Sequence, residues 1–233
     1  MPDLFVSNQD VSVRMFRSDF MERFSHVHPA VPHVIYVPLV GWLLWTAPTT
    51  VGRTALLCAA GVVLWTLAEY LLHKHAFHAP DRIMQETHDV VAGLRREEAV
   101  LPALPGWRHR LYFVAHGVHH EYPSDSSRLV MPPSASLPIA VLTWLLFRAA
   151  AGPTLAPSLF AGFVTGYLVY DTTHYAVHHL GMRTPWGRYL KKRHARHHFL
   201  DHDADYGVSS PLWDVVFGTF TPLGEREARR RQA

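Results

Sequence analysis

Four apolar stretches, over residues 34–47, 54–72, 137–151 and 155–170, approach the length a helix needs to cross a bilayer, and they fall into two close pairs. The pattern leaves two fold classes open: a helical membrane protein, or a soluble bundle of four buried core helices. Charge separates them. Inside the pairs, Arg53 and Arg148 are the only basic residues, and every other Lys or Arg lies outside. If each pair is a hairpin, the N-terminus, the long central stretch and the C-terminal region share one side, which the positive-inside rule makes cytoplasmic. The expected fold is an all-α integral membrane protein. Four transmembrane helices form two hairpins beneath a cytosolic helical cap.

One domain accounts for the whole chain. Residues 1–30 form an interfacial N-terminal segment, 31–72 the first hairpin, 73–134 part of the cap, 135–173 the second hairpin, and 174–233 the rest of the cap with a basic tail at 225–231. The first residues lack the basic and apolar regions of a signal peptide, so insertion falls to the first helix. Val13, Phe16, Phe20 and Phe24, with Arg14, Arg17 and Arg23 between them, read as an interfacial amphipathic helix. Cys58 stands alone, which excludes an internal disulfide.

The chain has 18 histidines against 22 Lys plus Arg, and ten of them cluster beside the apolar segments. His116, His119 and His120 lie in HGVHH, and His194, His197 and His198 in HARHH. Residues three and four apart share a helix face, so each triad is expected to aim three rings one way. His174 and His178 are a turn apart and do the same. His73 and His78 are five apart, so the helix should loosen or end between them, as Pro80 beyond them also indicates. Crowded half-titrating rings are unfavourable without a cation to bind them. Ten ligands exceed the needs of one first-row ion, whereas two ions at about five each use them all. A histidine-rich dimetal site at the cytoplasmic ends of the second and fourth helices follows.

HVHPAVPHVIYVP, EYLLHKHAFH, HGVHHEYPSDSSRLVMPP, YDTTHYAVHH, KKRHARHHF and YGVSSPLWDVVFGT together resemble the fatty acid hydroxylase superfamily, and within it the sphingolipid fatty acid 2-hydroxylases. These blocks extend over roughly residues 26–219 in the family's order. The resemblance implies a membrane monooxygenase that hydroxylates carbon two of a fatty acyl chain, free or in a ceramide-like lipid. It implies two iron ions held by histidines, replaced by zinc in isolated preparations, with dioxygen as co-substrate. The family pattern selects the same ten histidines, and it leaves His179 as a further ligand or a donor behind one. His75 is set aside. His26, His28, His33, His88, His109 and His202 fall outside the motifs and read as structural or exposed.

Around the metals, Asp171 precedes His174 by three residues and Glu69 precedes His73 by four, positions from which each carboxylate can orient a ring. Tyr170 and Asp171 are the candidates for positioning substrate. Arg128 reads as a surface partner of Asp125. Residues 206–210 and 212–218 read as a lid or docking strip, with Trp213 at the interface. The chain carries no His-Pro-Gly-Gly signature of a fused cytochrome, so electrons are expected from a separate b-type cytochrome or ferredoxin with its reductase. Lys191, Lys192, Arg193 and Arg196 are its candidate docking patch. A monomer in a bacterial inner membrane is expected. The alternatives are a desaturase or a sterol or carotenoid oxygenase on the same scaffold, and a non-catalytic metal transport or storage protein.

Overall fold

A computed structural model describes residues 5–95 and 97–222, and the basic tail lies outside the described residues. The elements are helical in order: α1 (Asp19–Arg23), α2 (Val31–Trp45), α3 (Val51–Leu72), α4 (Asp81–Gly93), α5 (Val100–Ala103), α6 (Trp107–Tyr112), α7 (Val118–Glu121), α8 (Pro133–His179), α9 (Pro185–Phe199) and α10 (Leu212–Phe217). Two π-helical turns interrupt them, His73–Phe77 after α3 and Phe113–Gly117 before α7.

The bundle of α2, α3 and α8 has its own core of Tyr36, Leu43, Trp65, Phe160, Ala161, Val164, Tyr167 and Leu168. Its outer surface is apolar too. Val34, Val37, Leu56, Val63, Leu142, Leu145 and Leu146 are each more than half exposed. A continuous apolar exterior on long helices suits lipid and would be unfavourable in water. Among the described residues, Val51–Phe77 and Pro133–His179 are long and apolar enough to cross a membrane. The four separate spans expected from the sequence take a different form. The 15 residues of α2 extend about 22 Å, less than a bilayer core. The third and fourth apolar stretches run on without a linker and reverse at Gly152, whose φ of 72° and ψ of 176° suit glycine. Phe147 packs on Phe163 at 5.3 Å and Trp144 on Phe160 at 5.3 Å, so the two halves of α8 fold against one another.

A second core lies in the cap, where Val13, Met15, Val91, Val100, Leu104, Phe113, Val118 and Tyr122 pack together. The N-terminal segment supplies Val13 and Met15 as extended chain, which corrects the expectation of an amphipathic helix. Competing partners explain the difference. The backbone N–H groups of Val6 and Ser7 donate to the Glu121 carbonyl, and those of Met15 and Phe16 donate to the Glu22 carboxylate. Helix is left to Asp19–Arg23 alone, with Phe20 and Phe24 exposed. Arg128 is also corrected, from a surface partner to a buried node. Its guanidinium donates to the Val13 carbonyl, to Glu22 and to Ser25, with Asp125 at 3.8 Å.

Candidate metal centre

The ten clustered histidines meet between the two cores, in two sets of five. His73, His78, His116, His120 and His197 form the first set, and His119, His174, His178, His194 and His198 the second. Within each set, one ligating atom per ring lies within 4.8 Å of all the others. The triads do not each serve one ion, as a shared helix face implied. Each is split by helical geometry. Residues four apart stay together, so His116 pairs with His120 and His194 with His198, while His119 and His197 reach across to the opposite set. The stacked rings of His120 and His198, 4.2 Å apart, join the two sets.

The five-residue spacing of His73 and His78 is accommodated as the sequence requires, by widening the helix. The backbone N–H of His78 donates to the His73 carbonyl at 3.2 Å, closing a π turn that brings both rings to one point. His174 and His178 approach from the end of α8, and the second triad from α9.

Nitrogen spacing tests whether a cation fits. Two ligands at right angles on an ion with bonds of about 2.1 Å are separated by about 3.0 Å. In the first set the Nε2 atom of His116 lies 3.0 Å from those of both His73 and His120, and those of His78 and His197 are 3.1 Å apart. In the second set the corresponding separations are 2.9 Å for His119 and His174, 2.7 Å for His178 and His194, and 3.1 Å for His194 and His198. The residues fit a dinuclear, all-imidazole centre.

Protonation agrees. Burial and neighbouring rings hold His116, His119, His120, His194, His197 and His198 well below the ordinary imidazole value, in the neutral form that binds metal. Two rings are oriented by backbone. Nδ1 of His73 donates to the Tyr206 carbonyl at 2.6 Å and Nδ1 of His197 to the Ala204 carbonyl at 2.8 Å, which leaves each Nε2 lone pair inward.

Both carbonyls belong to a strap over residues 204–210, held by three buried carboxylates. Asp205 receives the guanidinium groups of Arg193 and Arg196; Asp214 accepts from the N–H groups of Tyr206 and Gly207, both at 2.9 Å. Glu69 accepts from the N–H groups of Val208 and Ser209 at 2.7 and 2.8 Å. Glu69 thus holds the strap rather than the His73 ring directly, as its helical spacing had implied. The docking patch is reduced in the same way, because Arg193 and Arg196 are buried against Asp205, leaving Lys191 and Lys192. The strip after the strap lies on α3, with Trp213 Nε1 donating to Thr66 Oγ1 at 3.0 Å.

Tyr170 sits beside the second set, its ring 5.5 Å from that of His174, and Asp171 follows it in α8. Oδ2 of Asp171 is buried without a hydrogen-bond partner among the described residues, and so are Tyr36 Oη, Trp65 Nε1 and Tyr167 Oη. Ring contacts link them into a seam. Tyr36 meets Tyr167 at 5.6 Å, and Trp65 meets Tyr167 at 5.3 Å and Tyr170 at 5.8 Å. His75 is exposed, and the His179 ring lies tilted against that of Tyr175 at 4.6 Å, outside both sets. His33 contacts Thr172, His88 contacts Glu121 and His109 contacts Glu86, all outside the centre. His202 is the residue the motifs missed. Its ring lies 4.8 Å from that of His120. The sequence signal was its place four residues after His198, beyond the end of α9.

Comparison with known proteins is consistent with this geometry. Residues 104–219 match the model of the fatty acid hydroxylase family. A dihydroceramide fatty acyl 2-hydroxylase of Arabidopsis thaliana is 37% identical over 88% of this chain and 79% of its own length. The fatty acid 2-hydroxylase of Rattus norvegicus is 32% identical over 90% of this chain, which covers 57% of that longer protein. A solved structure described as full-length scs7p, with only the hydroxylase domain visible, superposes with a TM-score of 0.73 at 32% identity, covering 88% of this chain and 70% of that one. These relatives are eukaryotic or carry no stated source, so they lend nothing to the expectation of a bacterial membrane. With its sequence matched across nearly its whole length and its apolar bundle built like a relative's, this membrane chain belongs to the fatty acid hydroxylase family.

Proposed function

We propose that the chain is a membrane di-iron monooxygenase that hydroxylates carbon two of a fatty acyl chain, free or carried in a ceramide-like lipid. The observation that carries this reading is the pair of adjacent five-nitrogen sets at the junction of an apolar bundle and a polar cap. An unactivated C–H bond resists every side chain acting as acid, base or nucleophile, and two bound iron ions would supply the activation of dioxygen that its cleavage needs. Zinc would fill the same sites in isolated preparations.

The protein's share is placement. Carbon two is bonded to the acyl carbonyl carbon, so groups that hold the carbonyl have to stand beside the metals. Tyr170 stands next to His174, and the unpartnered carboxylate oxygen of Asp171, the residue after it, offers an acceptor to an amide N–H or a protonated acid. The rest of the lipid then extends along the exposed apolar face of the bundle. Electrons come from a separate b-type cytochrome or ferredoxin on the cytoplasmic side, and the enzyme acts as a monomer. A metal transporter would be expected to set its ligands near the bilayer midplane, whereas these lie at helix ends under a cap.

Lipid analysis of cells expressing wild type and His119→Ala tests the reading. Wild type should yield acyl lipids heavier by one oxygen atom, located at carbon two by fragmentation, and the variant should not. No such product, with iron, dioxygen and a competent reductant supplied, overturns it. A new double bond would redirect it to a desaturase.

A further inference from the structure

An eleventh imidazole stands at the edge of the first nitrogen set. The His202 ring is 4.8 Å from that of His120, 6.1 Å from His197 and 6.2 Å from His78. Yet it lies outside the five whose ligating atoms converge. Both its ring nitrogens are buried, and no side chain among the described residues hydrogen-bonds to either. The His198 backbone carbonyl is close enough to take the N–H of one ring nitrogen, which leaves the other as the lone-pair donor. A neutral imidazole carries one N–H and one lone pair, so a ring of this kind keeps a ligand atom available.

Its position grades from outside to inside. His202 is half-buried on the chain leaving α9, His78 is also half-buried, and His120 and His197 behind them are fully enclosed. Asp81, Asp201 and Asp203 bring negative charge to the same rim, where it raises the local concentration of a divalent cation. A buried site needs an entry path as well as resident ligands.

We propose that His202 is a transit ligand, which captures the cation bound for the first set and passes it inward to His78 and His120. This rests on the reading that each set holds an ion. Each move exchanges one neutral nitrogen donor for another, so no electron or proton needs to be supplied. His202 is thus a residue of metal loading, separate from the ten that retain the ions.

The test uses the full chain in detergent, loaded with Co²⁺ and then exposed to excess chelator, with ions counted before and release followed by visible absorbance. Wild type and His202→Ala should each hold two ions at equilibrium, with release of one ion slowed about tenfold in the variant and the other unchanged. His202→Asp, which offers an oxygen donor, should recover most of the rate. His202→Gln replaces the Ala variant if that one fails to fold. Unchanged release overturns the inference, and so does a variant that holds one ion at equilibrium, because His202 would then be a resident ligand. A wild-type chain that never takes up two ions overturns the dinuclear reading itself.

Discussion

Asp205 joins two buried guanidinium groups to the strap that orients the His73 and His197 rings, so under the proposed dinuclear reading a single carboxylate bears on both stability and metal retention. It also has a φ of 63°, unusual for a residue with a side chain, which the two ion pairs hold in place. Asp205→Ala leaves Arg193 and Arg196 buried without their shared partner, at a cost of about 3–5 kcal/mol. Thermal melting should show that loss, and ion counting should show depletion of the first set, which contains both His73 and His197. An unchanged ion count would mean that the strap keeps its carbonyls in place without the clamp. Asp171→Ala should behave oppositely, lowering hydroxylation at least tenfold while ion content stays near wild type; equal losses of both would make Asp171 structural. The ten histidines were legible because their spacing reports helix geometry. Arg193 and Arg196 were not, since a basic run reads as a solvated face until a carboxylate nine to twelve residues later folds back onto it. His202 escaped for a related reason: it follows the helix, where periodicity no longer says what a side chain faces.

Helix α3 meets α8 at glycines, and this close approach holds the bundle beneath the histidine sets. A Cβ added at Gly162 would collide with the Cys58 backbone, and one at Gly61 with the backbone of Leu159 and Phe163. Neither obstacle is a flexible side-chain end. Gly162→Leu should therefore force the helices apart, lowering thermal stability by about 3 kcal/mol or preventing folding in detergent. Gly41→Ala is the control, because nothing lies within 4 Å of its added carbon. Equal melting of the two variants would remove the close-contact argument. Hydropathy located these apolar segments well, yet it left their joining obscure. Gly152 and Pro153 read as an ordinary linker, although the chain reverses there with no loop between the halves of α8. Likewise, the aromatic spacing in the N-terminal segment mimicked an amphipathic helix because periodicity carries no information about the Glu121 carbonyl and Glu22 carboxylate that claim its backbone donors.

At the scale of the molecule, the two histidine sets stand between two separately packed cores. Rings from the π turn after α3, from the π turn and α7 that follow α6, from the end of α8 and from α9 converge there, so cations bound as proposed would tie cap to bundle. Removing them should lower the melting temperature and weaken amide-exchange protection in the cap before the bundle. Acidity should then act on the stripped protein in one direction. The folded rings of His116, His119, His120, His194, His197 and His198 are held well below the ordinary value of 6.5, whereas the unfolded chain takes up protons near that value. Because the unfolded state binds more protons below that value, stability is present above it and is lost as pH falls, by up to about 1.4 kcal/mol per pH unit for each ring. Melting of the chelator-treated chain between about pH 8 and about pH 5 should stay flat at first and then fall steeply below about 6.5. The loaded chain should hold its stability to lower pH, since protons must also displace the ions. A stripped protein whose melting temperature does not change across that range would show that the imidazoles are already solvated without metal, and that the two cores are not fastened through them.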